Sequence, residues 1–87
     1  MNTSTQKIIK RTADLTLADI KENVHIKIVG FKDLDSSIKK HLHAYGLTNG
    51  RIVRVISNRP EMIIQIEETE LALEHSVARK ILVLQVE

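Results

Sequence analysis

Apolar and polar residues along the chain fall into short blocks, and the repeat length within each block predicts the elements. Val24-His25-Ile26-Lys27-Ile28 alternates with period two, which predicts a half-buried strand closing at Gly30. Upstream, Thr16-Leu17-Ala18-Asp19-Ile20 predicts a short helical turn, capped by Thr16 with Asp19 at its positive end and with Leu17 and Ile20 facing a core. After the strand, Asp35-Ser36-Ser37 supplies N-cap residues, and Ile38, Leu42 and Tyr45 follow at helical spacing with Lys39, Lys40 and His43 opposite. Gly46 predicts the end of that helix, of about ten residues. Asn49-Gly50 marks a turn. Three β-rich runs follow, at 52–56, 62–66 and 71–73, separated by the loop Ser57-Asn58-Arg59-Pro60-Glu61 and by the charged hairpin turn Glu67-Glu68-Thr69-Glu70. A short helical segment over 76–80 leads into a last strand, Ile81 to Val86.

About five short strands with turns every 8–12 residues, one inserted α-helix and short helical turns predict a mainly β fold, a small barrel or sandwich. Residues 1–13 are polar and aperiodic and read as a flexible N-terminal tail, leaving 14–87 as a single domain. The predicted core takes Val24, Ile26, Ile28, Ile64, Ile66, Leu71, Leu73 and one face of the last strand.

Size and composition narrow the function. A chain of 87 residues holds one small domain and buries only about 60% of the surface its unfolded form exposes. With no cysteine it has no disulfide, thiolate metal site or thiol nucleophile. Thirteen Lys and Arg against eleven Asp and Glu leave a charge of +2, too small an excess to select nucleic acid by electrostatics. The stacking platforms of single-strand binders are also missing, since Phe31 and Tyr45 are the only aromatics. No apolar run has the length of a signal peptide or a membrane span, so the expected location is the cytoplasm, without membrane insertion.

The candidate chemistry is sparse. The metal candidates are His41, His43 and His75. His41-x-His43 looks like a chelating pair, but residues two apart on a helix point about 200° away from each other and cannot hold one ion. Asp33-Leu34-Asp35-Ser36-Ser37 resembles the opening of a calcium loop, yet Ile38 and Ala44 stand where glycine and glutamate are required. Glu67, Glu68 and Glu70 read as the solubilising face of an exposed hairpin. No nucleophile elbow, Gly-rich phosphate loop or paired acid and base is present. The expectation is therefore a binding module that is not an enzyme and carries no cofactor.

The order of elements resembles one family. Leu17-Ala18-Asp19-Ile20 followed by Val24-His25-Ile26-Lys27-Ile28-Val29-Gly30-Phe31 is similar to the opening of FeoA, the small ferrous iron transport protein A. The stretch from His41 through Gly46-Leu47 to Gly50, leading into Ile52-Val53-Arg54-Val55, resembles the family's helix-to-strand signature. Leu71-Ala72-Leu73 and Ala78-x-x-Ile81-Leu82-Val83 resemble its closing strand, turn and strand. The resemblance implies an SH3-like barrel with an inserted helix. It also implies a cytosolic, non-enzymatic accessory that docks on FeoB, the ferrous iron permease, at its cytoplasmic domain. The chain departs from the family pattern at Asn23, where glycine is common, and at Glu68-Thr69, where the family has a Gly-aromatic hairpin. It departs again at Glu74 and Val77, where the family carries an arginine and an acid.

For docking, the candidate residues are Tyr45, Leu47, Met62, Ile63, Leu82 and Leu84, because the last strand is apolar on both faces and exposed apolar surface marks an interface. A weak homo-oligomer would use the same surface. Two further readings are a stand-alone regulatory domain binding nucleic acid or another regulator, and a small metal carrier.

Overall fold

A computed structural model describes residues 15–86; the tail expected over residues 1–13 lies outside them. The elements run as a 3-10 turn (Leu17–Asp19), β1 (His25–Phe31), α1 (Ser36–Ala44), β2 (Ile52–Ser57), β3 (Met62–Ile66), β4 (Thr69–Leu73), α2 (His75–Ala78) and β5 (Ile81–Val86). The strands form one antiparallel sheet in the order β4-β3-β2-β1-β5. The protein is mainly β, an SH3-like fold of five strands with two helices.

The period-two reading of β1 matches the burial pattern. Ile26 and Ile28 are buried while His25 and Lys27 face outward. The strand runs three residues past Ile28, to Phe31, with Val29 extruded as a bulge between the pairs Ile28–Val83 and Gly30–Leu82. In the 3-10 turn, the Asp19 carboxylate accepts from the Thr16 N–H at 2.9 Å and from its hydroxyl at 3.1 Å. These bonds satisfy donors the short turn leaves orphaned, and Leu17 and Ile20 enter the core as expected. Asn23, where the family resemblance places glycine, has φ of 65° and donates its N–H to the Val55 carbonyl at 2.7 Å.

The helix α1 departs from the amphipathic reading. Asp35 caps it as expected, its Oδ1 accepting from the Ser37 N–H at 2.8 Å. Of the three residues on the apolar face only Leu42 is buried; Ile38 is 38% exposed and Tyr45 54%. The helix is nine residues long and turns out of the structure after Leu42, at Gly46 with φ of 99°. Leu47 then dives into the core, completely buried, and takes the place the stripe assigned to Tyr45.

Two more corrections concern the predicted docking set. Leu47 and Met62 are both fully buried and cannot present surface to a partner. Met62 opens β3 on its inward face, in the pattern Met62, Ile64, Ile66. The Pro60 loop made that residue look exposed, but strand alternation decides its side. The hairpin turn is also tighter than read: Glu67 and Glu68 form it, Glu67 with φ of 57°, while Thr69 and Glu70 already pair in β4. Leu71 and Leu73 pack against the core from this edge strand but remain only half-buried.

Candidate functional site

Three exposed features remain as candidates: the outer face of the sheet, the histidines, and a cleft beside the 3-10 turn.

On the outer face, register places side chains in rows across β2, β1 and β5. Lys27 pairs with Ile52 on one side and Leu84 on the other. Ile52 is 45% exposed and Leu84 57%, so two large aliphatic groups flank one lysine on three adjoining strands. In the neighbouring row His25 pairs with Arg54 and Val86. Val29, in the bulge, adds a further exposed aliphatic group beyond Lys27. Of the docking residues expected from sequence, Leu84 stands in this surface and Leu82 lies half-buried beside Gly30 on the same strand. Ile63 is half-buried on β3, outside the row, and Tyr45 stands apart at the end of α1. Ile52 and Val29 were missed because an isolated aliphatic residue on a strand reads as core until the register is known.

The histidines do not converge. Among the described residues no three His, Asp or Glu side chains gather where one ion could be held. His43 Nδ1 lies 2.7 Å from the Lys39 carbonyl, so that nitrogen carries the proton, and the ring packs on Phe31 at a centroid distance of 5.3 Å. His41 is exposed on α1 with no such contact. His75 Nε2 lies 2.7 Å from the Asn58 carbonyl and 2.9 Å from Asn58 Oδ1. Both partners accept, which makes Nε2 the protonated nitrogen and commits it to structure rather than to a metal.

Asn58 is the centre of the cleft. Its amide donates to the Ala18 carbonyl at 2.9 Å and to that of Ile20 at 2.7 Å. The residue thus ties the β2–β3 loop to the 3-10 turn and, through His75, to α2. On either side open concavities of about 670 Å³ and about 400 Å³, which share Ala18, Asp19, Asn58 and Arg59 as lining. Lys21 and Glu22 line the larger and Arg79 the smaller. Sequence reading found in Asn58 only a loop residue. The signal available was an asparagine two residues before a proline in a connection, and nothing local tells which distant carbonyls it will reach.

Asp35 is the one described group whose ionisation the fold clearly moves. The Ser37 N–H and hydroxyl hydrogen-bond its charged form and hold its pKa below the ordinary value of 3.8. Its position at the start of α1 makes it a cap with no part in the cleft.

The FeoA domain family matches residues 15–85, all but the last of the described chain. The chain belongs to the FeoA family. Two solved FeoA structures share its fold. An FeoA-like protein from Clostridium acetobutylicum superimposes with a TM-score of 0.72 at 19% identity, over 88% of this chain and 92% of that one. An iron uptake regulatory protein (FeoA) gives 0.73 at 19% identity, over 83% of this chain and 96% of that one. A manganese-dependent transcriptional repressor carries the same fold in about a third of its length, with a TM-score of 0.74, 16% identity, and coverage of 82% of this chain and 36% of that one. No curated protein sequence matches the chain. FeoA membership supports a role in ferrous iron transport. Among the described residues, no helix is long and apolar enough to cross a membrane.

Proposed function

We propose that this FeoA protein is a cytoplasmic accessory of ferrous iron uptake, docking through the outer face of β2, β1 and β5 on the cytoplasmic domain of a FeoB-like permease and modulating its transport. Family membership supports the iron system, and the observation that carries the docking face is the row Ile52–Lys27–Leu84. Exposed aliphatic groups on adjoining strands gain free energy when a partner removes them from water, at about 25 cal/mol per Å². The lysine between them favours a partner that is apolar at the centre of contact and acidic at one point, which fixes orientation more than it adds affinity.

The test pairs the purified chain with the permease's cytoplasmic domain in a titration calorimeter. Ile52→Asp and Leu84→Asp are expected to abolish binding without unfolding the protein, and the same variants to lower ferrous uptake in cells to the level of a deletion strain. Uptake that is unchanged when the chain is deleted, with the permease present, overturns the proposal.

A second reading has one observation in its favour. The fold recurs as part of a metal-dependent repressor, so a regulatory role on a transcriptional partner is consistent with the same architecture. A gel shift whose affinity falls steeply with salt would favour it.

A further inference from the structure

We propose that the cleft floored by Asn58 is a second binding site, for an extended acidic segment of a protein partner, held by Lys21, Arg59 and Arg79. The site lies on the turn, loop and α2, and it does not depend on the sheet face argued above.

The floor is built rather than incidental. Both N–H groups of the Asn58 amide donate to carbonyls of the turn, at 2.9 and 2.7 Å, and its two oxygens both accept from His75. With every polar group of that side chain engaged, the loop, the turn and α2 are held as one surface. Arg59, next in sequence, stands at the junction and lines both concavities. Arg79 lines only the smaller and Lys21 only the larger, so three cations are distributed along a continuous depression instead of gathering round one point. That spacing suits carboxylates on successive side chains of an extended peptide better than a single small anion.

The cations are available. Among the described residues the one ion pair is Arg51 with Glu67, neither of which lines the cleft. Two acids share the lining. Asp19 has its carboxylate engaged by the Thr16 N–H and hydroxyl, and Glu22 lines only the larger concavity, with Lys21 and Arg59, and not the smaller one where Arg79 stands. The exposed guanidiniums keep a planar fork of donors free, the geometry that grips a carboxylate with two parallel bonds. Nucleic acid offers anions as well, but a strand also needs stacking surfaces. No Phe, Tyr or Trp lines either concavity, the His75 ring that lines the smaller one is tied to Asn58, and Phe31 and Tyr45 lie at the α1 end.

The experiment is a proton–nitrogen NMR titration of the full chain with a synthetic peptide alternating glutamate and serine. Shifts are expected to concentrate on residues 18–23, 58–59 and 75–79. The double variant R59S/R79S, which removes exposed side chains only, is expected to weaken peptide binding about tenfold with the rest of the spectrum in place. Two controls, K39S/K40S on α1 and L84D on the sheet face, are expected to bind like the parent, so that failure here and failure of the docking face are separately visible. The proposal is overturned if R59S/R79S binds as tightly as the parent or if K39S/K40S weakens binding as much. It is equally overturned if inorganic phosphate moves the cleft amides as strongly as the peptide, which would make this a small-anion site, or if a single-stranded oligonucleotide displaces the peptide.

Discussion

His75 and Asn58 meet through one imidazole proton shared by two acceptors of the same residue, at 2.7 Å to the main-chain oxygen and 2.9 Å to the side-chain oxygen. Because the Asn58 amide already donates at its other end, its orientation and the tautomer of His75 fix one another.

Asn58→Ala is expected to destabilise the protein by about 1–3 kcal/mol in urea denaturation, since the Ala18 and Ile20 carbonyls lose their donor and the His75 imidazole N–H keeps only the main-chain oxygen of its two acceptors. Asn58→Asp should cost at least as much, because an oxygen then faces the Ala18 and Ile20 carbonyls. If either variant unfolded at the parent's urea midpoint, the tie between loop, turn and α2 would be unimportant to the fold.

Met62 and Leu84 separate core from surface. Met62→Ala should cost about 2–5 kcal/mol, the usual range for emptying a buried site. Leu84→Ser should stay within about 0.5 kcal/mol, because its side chain is mostly in water already. Thermal melts of the two variants, compared with the parent, give the contrast directly.

Asn23 and Glu67 both hold positive φ, 65° and 57°. Replacing Asn23 by Gly should leave stability within about 0.5 kcal/mol, while Asn23→Val should cost more than about 1 kcal/mol because a β-branched residue clashes in that region. Glu67→Asn is expected to be neutral or stabilising. The left-handed strain it relieves offsets the exposed ion pair to Arg51, itself worth under about 1 kcal/mol.

The Asp35 cap makes stability depend on pH in one direction. Its pKa in the folded state lies below 3.8, so the stabilisation is complete above that value and is lost as the pH falls through the folded-state pKa. Asp35→Asn, which caps without titrating, is expected to flatten the acid limb of melting temperature against pH. A limb that keeps the parent's slope would assign the acid sensitivity to other groups.

The strands were legible in the sequence because alternation is a local signal: Ile26 and Ile28 in β1, and Ile64 and Ile66 in β3, are where the pattern puts them. The helix was legible in place and capping but not in facing. Its stripe assumes a helix lying flat on a core, and α1 touches the core chiefly through Leu42. The candidate surfaces were least legible. Ile52 becomes exposed only once Lys27 is known to lie beside it, and Asn58 becomes a hub only when the turn some forty residues earlier folds back against it. Both are facts of pairing between distant segments, which composition and period do not carry.

The pairing of β1 with β5 has a consequence for synthesis. Residues 25–31 find their neighbours in residues 81–86, and the Leu15 carbonyl accepts from Val83. During translation β1 therefore waits, with one hydrogen-bonding edge open, until β5 has cleared the ribosome exit tunnel. The hairpin of β3 and β4 can form earlier from local contacts, whereas closure of the sheet waits for β5. A stalled or shortened chain would present that unfilled edge to the cell's chaperones and proteases.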